Sequence, residues 1–321
     1  MTLDTLATAL DPQVHPILPD AKALAVRNVA PMRAAATTSA SSRTPGSHGP
    51  RFTKRASAPL SRNELLALLA VVAFANGVSE RAVAAIAQWG ITAALLNSFD
   101  VSLIVWGAFM IGISFVRRSP QQPITRSDTI ISGAALAAVL APGAQLSWIA
   151  LSGLAVHILR TSPRPSFVHR GGWILLATTV PMLWSRLLFG LFSGPILEAD
   201  AALVGWLAGA ARVGNTVQLA DGSGYVWIAP GCSSLANVSL TVLCWVTFAK
   251  VLDRVGSLRD MGWCCLACAA VIAVNVTRIS LIALYPGSYD LIHGPIGYTI
   301  VDWTSVGVIV GTCLLRFRRA L

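Results

Sequence analysis

Eight apolar runs from residue 65 onward constrain the fold of this chain more than any other feature. The runs are Leu65–Val78, Ile91–Val116, Ile130–Ala141, Leu146–Leu159, Trp173–Phe192, Leu235–Val251, Met261–Leu284 and Ile300–Leu315. A membrane-spanning helix needs about 20 mainly apolar residues, because the hydrocarbon core of a bilayer is about 30 Å thick. The shortest runs must borrow flanking residues, so the helix count is open by one. We predict an all-α membrane protein with about eight transmembrane helices.

Composition excludes an ordinary soluble domain and disfavours a nucleic-acid-binding role. Hydrophobic residues make up 55% of the chain and charged residues only 12%, with a net charge of +10. Residues 1–62 are basic and rich in Ala, Ser, Thr, Pro and Gly, with too few large apolar side chains to offset the entropy of ordering them. We predict a disordered cytoplasmic tail over residues 1–62 and a polytopic membrane domain over residues 63–319.

The placement of lysine and arginine predicts the topology, since positive residues in short loops stay on the cytoplasmic side. Lysine and arginine form five clusters: one before the first run, one after each of the second, fourth and sixth runs, and one at the end of the chain. In that order, their members are Arg51, Lys54, Arg55 and Arg62; Arg117, Arg118 and Arg126; Arg160, Arg164 and Arg170; Lys250, Arg254 and Arg259; and Arg316, Arg318 and Arg319. All five clusters can lie on the cytoplasmic side only if the chain crosses the membrane an even number of times between any two of them. Pro142-Gly143 is then the outer turn of a hairpin, and we expect both termini to be cytoplasmic.

The segment 193–231 is the largest outer segment in this topology. Its first part, "PILEADAALVGWLAGAARV", has apolar residues at helical spacing and is predicted to lie along the interface. The following "NTVQLADGSGYVWIAPG" predicts two short strands around Asp-Gly-Ser-Gly. We expect a small hairpin over the outer mouth of the helices.

Cys232 is the only one of the six cysteines that this topology places at the outer face. Pro230-Gly231 breaks the chain before it, and Ser233 and Ser234 after it are favoured at helix starts, which puts Cys232 at a helix N-terminus. The positive end of the helix dipole there favours the thiolate. An unreactive structural cysteine remains the alternative. The other five fit apolar packing, and "CCxxC" at 264–268 lacks the second ligand pair of a metal site.

A histidine, two arginines and an aspartate are the other main candidates. His293 is the only histidine on the outer side, and Arg278 lies six residues before Leu284, about 9 Å below the outer helix end. An arginine at that depth indicates a functional site, unless its side chain reaches up to the lipid headgroups. Arg186 lies at similar depth as a rival or collaborator. Asp302 is a potential partner for either guanidinium, as are Asp290 and Glu198 if their loops fold inward.

A thiolate, an imidazole and a guanidinium at one depth suit acyl transfer. Cys232 would attack a peptide carbonyl, His293 would act as general acid and base, and Arg278 would stabilise the oxyanion. An amine or hydroxyl acceptor in place of water would make the reaction a transpeptidation. This chemistry requires no metal and no cofactor.

The motifs "PGCSSL", "NVTRI" and "HGPIG", in this order on three successive late helices, resemble those of the exosortase/archaeosortase family of multi-pass envelope proteases. The similarity covers residues 63–319 and is most specific over residues 225–297. It implies Cys232 as the nucleophile beside Arg278 and His293. The substrates it implies are exported proteins with a C-terminal sorting tail: a short motif, one transmembrane helix and a basic cluster. Many members have Cys-Ser-Gly where this chain has Ser234, which leaves the subfamily open.

Two other functions are compatible with the sequence. Arg278 and Arg186 would form an intramembrane anion site in a transporter or channel in which Cys232 is incidental. In a non-catalytic envelope-assembly protein, the thiol would be unreactive and the arginine structurally paired.

Overall fold

The computed structural model describes residues 60–120 and 122–318, which form helices and one small sheet. The predicted disordered tail lies outside the described residues except at its end, where Ser61 caps the first helix and Arg62 begins it. The helices are α1 (Arg62–Leu96), α2 (Leu103–Arg117), α3 (Arg126–Leu140), α4 (Ala144–Thr161), α5 (Phe167–Thr179), α6 (Ser185–Ala208), α7 (Leu235–Val251), α8 (Leu258–Leu284), α9 (Tyr289–His293) and α10 (Pro295–Phe317).

Four helical stretches of the described chain are long and apolar enough to cross a membrane: Arg62–Leu96, Phe167–Ala208, Leu258–Leu284 and Ile296–Phe317. Helices α2 and α7 are apolar but shorter, with 15 and 17 residues. These lengths identify an all-α membrane protein. These four stretches do not establish eight membrane crossings, and the number of crossings stays a prediction.

Three boundaries differ from the apolar runs. The first run does not end at Val78, because α1 continues to Leu96 and includes the start of the second run. The second run is divided, because a 3₁₀ turn at Ser98–Asp100 with positive φ angles separates α1 from α2. The fifth run does not end at Phe192, since a π-helical turn at Val180–Trp184 joins α5 to α6 and the helix continues to Ala208. Phe192 leaves helical geometry and Pro195 lies within α6, so the chain bends there without ending. The predicted interfacial segment is therefore continuous with the fifth helix.

A buried ionic cluster joins the start of α1 to α3 and α4. The Asp128 carboxylate oxygen Oδ1 accepts from Arg62 Nε and contacts His157 Nε2, each at 2.8 Å. The side chains of Asp128 and Arg62 are 0% and 4% exposed. Arg62 also donates to the hydroxyl of Thr161, so four helix-terminal residues share one site.

Further contacts place more basic termini at this same end, which we call the basic end. Arg170 of α5 lies 3.5 Å from Asp253 beyond α7, with its guanidinium 5.2 Å from the ring of Phe115 in α2. Asp260 of α8 pairs with Arg316 of α10 at 2.5 Å. Each predicted basic cluster with described residues adjoins one of these termini.

The turn at Pro142-Gly143 separates α3 from α4, as predicted. Gly143 has a φ angle of 110°, which a side chain would oppose. The N–H of Ala144 donates to Glu80 of α1 at 3.1 Å, so this turn is fixed against the first helix.

The predicted hairpin is present, with one strand more than expected. Strands β1 (Arg212–Val213), β2 (Thr216–Gln218) and β3 (Tyr225–Trp227) pair antiparallel in that order. In the connection between β2 and β3, hydrogen bonds from the Ser223 hydroxyl and N–H hold the pKa of Asp221 below its usual value. Val217 and Ile228 are buried in a cluster with side chains of α8, so the sheet rests on the helix that carries Arg278.

We expect Asp128→Ala to destabilise the fold strongly, because it leaves the Arg62 guanidinium buried without its carboxylate. Losing one partner of a buried pair costs about 3–5 kcal/mol. Asp253→Ala, which removes an exposed ion pair at the same end, is the control and should change little. Thermal unfolding of the purified variants in detergent measures both. Equal midpoints for the two variants would contradict a stabilising role for the cluster.

Candidate active site

The Cys232 turn precedes α7. Pro230–Cys232 forms a 3₁₀ turn in which the Cys232 N–H donates to Ala229 at 2.9 Å, and α7 begins at Leu235. The thiol is therefore three residues before the first helical residue, not within the first turn. Its side chain is half-buried and packs against the apolar cluster shared by α6, α8 and the sheet.

A buried asparagine fixes this turn to α8. Asn275 Nδ2 donates to the Cys232 carbonyl at 2.7 Å and to Ser234 Oγ at 3.1 Å. The Ser234 N–H in turn donates to Asp200 Oδ2 of α6 at 3.1 Å. Asn275, Ser234 and Asp200 are each no more than 5% exposed. The backbone on both sides of the thiol is thus held by two helices.

Arg278 lies on the same face of α8 as Asn275, because residues three apart are neighbours on a helix. It is 7% exposed, and its Nε donates to the Ile292 carbonyl at 3.4 Å. Its guanidinium lies 5.5 Å from the centre of the Tyr298 ring of α10. One helix face therefore contacts both the Cys232 turn and the segment that ends in His293.

His293 is the last residue of α9 and is exposed. Its ring stacks on Tyr289 at a centroid distance of 4.9 Å. Within residues 60–120 and 122–318, no hydrogen bond joins the imidazole to Cys232 or to Arg278. The structure brings the neighbour of His293 to Arg278 but does not bring the ring to the thiol.

Two glycines make the close approach of α9 and α10 possible. A Cβ at Gly297 would lie 2.2 Å from the Ile292 carbonyl, and one at Gly294 would lie 2.2 Å from the Asp290 carbonyl. No side chain fits at these distances. The Ile292 carbonyl that lies against Gly297 also accepts the hydrogen bond from Arg278. The glycines of "HGPIG" therefore help to position the guanidinium.

The remaining predicted residues lie in different places. Asp302 is exposed on α10 and within electrostatic range of Arg278. Arg278 lines an apolar cavity of about 550 Å³ between α8 and α10. Arg186 instead lines a second cavity of about 460 Å³ beside Pro230 and Ser233, so the two guanidiniums do not share one site. Asp290 and Glu198 are exposed, and the described chain contains no ion pair of either.

Sequence reasoning missed Asn275, Asp200 and Tyr298. Tyr298 has Cys232, Arg278 and Asp302 all within electrostatic range of its hydroxyl. Asn275 offered a signal, because it is the one amide between Val271 and Leu284 of an apolar helix and lies one turn from Arg278. Asp200 offered a similar signal within the apolar part of α6. In the part of the chain that the structure describes, no group of three or more His, Cys, Asp or Glu side chains is placed to hold a metal ion.

Comparison of the chain with protein-family models, curated proteins and solved structures gives no match.

Asn275→Ala should loosen the Cys232 turn, since the Cys232 carbonyl and the Ser234 hydroxyl lose their amide donor. Leaving buried polar groups without a partner costs about 1–3 kcal/mol each. We expect faster alkylation of Cys232 in a variant whose other five cysteines are replaced by alanine. Asn237→Ala, at an asparagine of α7 whose side chain has no recorded hydrogen bond in the described chain, is the matched control. An unchanged alkylation rate in Asn275→Ala would refute the anchoring role.

Proposed function

We propose that this protein is a membrane-embedded cysteine protease or transpeptidase. It cleaves the C-terminal sorting tails of exported proteins through a thioester. The observation that supports this best is the shared face of α8, where Asn275 holds the Cys232 turn and Arg278 holds the backbone beside His293. The three motifs that resemble the exosortase/archaeosortase family are thereby connected through one helix.

The proposed chemistry starts with the Cys232 thiolate. Its sulfur attacks the carbonyl carbon of the scissile peptide bond, and the carbonyl electron pair moves to oxygen. Collapse of the tetrahedral intermediate breaks the C–N bond, and His293 gives a proton to the departing amine. An amine or hydroxyl group of an envelope acceptor then attacks the thioester carbonyl and gives its proton to His293. The C–S bond breaks, which regenerates the Cys232 thiolate.

Arg278 stabilises the oxyanion in this mechanism. Its Nε is occupied by the Ile292 carbonyl, which leaves the terminal nitrogens of the guanidinium for a substrate oxygen. Because the residue is only 7% exposed, little water competes for those donors, and a charge-assisted hydrogen bond is strong there. Asp302 and Tyr298, on the adjoining helix, complete the electrostatic surroundings of the guanidinium.

His293 has to leave its stack on Tyr289 for this role. Catalytic hydrogen bonds are often long or misaligned in unliganded enzymes and tighten when substrate binds. His293 ends the five-residue helix α9 and is followed by Gly294, so a small change in that segment reorients the ring. In our proposal, substrate binding drives that change.

The α8–α10 cavity supports a substrate with an apolar segment next to its cleavage site. Its lining is apolar apart from two threonines and Arg278, and it opens beside the guanidinium. Residues of a sorting tail that enter the membrane next to the recognition motif have this character. The basic cluster of such a tail would lie at the opposite surface.

For the topology, we propose about eight crossings, with the basic end in the cytoplasm and the Cys232 end at the outer face of the inner membrane. The ionic contacts that gather the basic helix termini at one end support this orientation, because positive residues are retained in the cytoplasm.

Cys232→Ala should abolish maturation of a co-expressed tail-bearing protein, because no nucleophile remains to form the thioester. Cys265→Ala changes an exposed cysteine near the start of α8, where the basic end lies, and should leave processing intact. Immunoblotting of the precursor and product, together with the membrane level of each variant, measures the effect. Normal processing by Cys232→Ala would eliminate the proposal.

Arg278→Lys should lose most of the activity although it retains the charge. An ammonium cannot bind the Ile292 carbonyl and a substrate oxygen with the same planar geometry. A loss of about 100-fold in the processing rate corresponds to one oxyanion donor. Arg212→Lys on β1 is the control. Full activity of Arg278→Lys would show that the guanidinium does not serve as the oxyanion donor.

A further inference from the structure

A second cavity, distinct from the one beside Arg278, is lined by two positively charged side chains. It measures about 460 Å³ and lies between α1, α2, α6 and the start of α7. Arg81 of α1 and Arg186 of α6 both line it, and its lining residues include no carboxylate. Arg81 is half-buried and Arg186 is exposed, and an anion between two guanidiniums that line one cavity would reduce their mutual repulsion.

The charges of these arginines are only partly balanced by the protein. Arg81 Nη1 donates to the Asp100 backbone carbonyl at 2.9 Å, while the Asp100 carboxylate, 3.9 Å away, is 66% exposed. For Arg186, the described residues provide no hydrogen bond and no ion pair. Both arginines also line a smaller adjoining cavity together with Glu80, whose carboxylate accepts from the N–H of Ala144.

Neutral donors of two kinds, serine hydroxyls and a backbone N–H, supplement the guanidiniums. Four serines line the cavity, and two of them, Ser185 and Ser239, donate to the carbonyls of Pro181 and Ala236. The hydroxyls of Ser102 and Ser233 are left as donors. The first turn of α7 also borders it, and the side chain of its N-cap residue, Ser234, does not cap the helix. Among the described residues, no acceptor is recorded for the N–H of Ala236, which lines the cavity. Free N–H groups at a helix start bind anions.

This set of donors fits a phosphate group better than a carboxylate. A phosphate offers three or more oxygens in a tetrahedral arrangement, enough for two guanidiniums, a hydroxyl and a backbone N–H at once. The rest of the lining is apolar, from Val105 and Met182 to Phe189 and Leu240, and the cavity is larger than a phosphate alone. A phosphate attached to an apolar moiety would occupy all of it.

We propose that the cavity between Arg81 and Arg186 is a binding site for a phosphate group, provided by a lipid headgroup or by a free phosphate compound. The site adjoins the Cys232 turn through Pro230 and Ser233, yet its binding requires neither the thiol nor Arg278. It therefore stands or falls independently of the proposed protease function.

The test uses the full chain purified in detergent and two probes: inorganic phosphate and dihexanoyl phosphatidic acid. Calorimetry gives the affinity of each probe, with potassium chloride at equal ionic strength as the reference. We expect Arg186→Gln to weaken binding about tenfold, the effect of losing one charge-assisted hydrogen bond. Because Arg186 has no recorded partner in the described chain, this variant should unfold at the temperature of the unchanged protein.

Arg212→Gln, which removes an exposed arginine of β1, is the matched control and should bind as tightly as the unchanged protein. Cys232→Ala should also bind normally, which separates this site from the protease mechanism. Tighter binding of the phosphatidic acid identifies a lipid headgroup as the source, and equal affinities identify the free phosphate group. Failure of both probes to bind beyond the chloride reference, or equal binding by Arg186→Gln, would overturn the proposal.

Discussion

The candidate site depends on one buried amide. An asparagine inside an apolar helix has to satisfy its hydrogen bonds, because leaving it unpaired away from water costs several kcal/mol at worst. Asn275 does so on the Cys232 carbonyl and the Ser234 hydroxyl, which draws the start of α7 against α8. Asp200 closes the same network from α6 through the Ser234 N–H. Three consecutive helices, α6, α7 and α8, are thereby held together around the thiol.

The two ends of the bundle use polar groups differently. At the basic end, ion pairs such as Asp128 with Arg62 join helix termini and involve full charges. Around Cys232, the connections are mostly amide, hydroxyl and backbone groups, and the guanidiniums line cavities. At the basic end, the charged side chains form ion pairs between helices. At the Cys232 end, the guanidiniums that line the cavities remain available to a ligand.

Much of the fold follows from the sequence alone. The apolar runs locate the helices, and Pro142-Gly143 and Asp-Gly-Ser-Gly mark turns that the structure contains. The break between α1 and α2 was missed because it depends on local backbone angles within an apolar stretch. The sequence pattern did not predict that α6 continues through Phe192 and Pro195. Local helix propensity predicts a helix end there, whereas the folded chain accommodates a bend within the helix. For the site, residue types and their order predicted Cys232, His293 and Arg278 at one depth. The stacking of His293 on Tyr289 and the separation of Arg186 from Arg278 depend on tertiary packing, which the sequence pattern does not contain.

The cluster at Arg62 has a consequence for biogenesis. The first helix begins with a guanidinium whose partners come later in the chain: Asp128 lies in the first turn of α3, and Thr161 ends α4. Until Asp128 has been synthesised, Arg62 at the start of α1 has no carboxylate partner. The set of contacts around Arg62 is therefore complete only when the chain has been synthesised as far as Thr161.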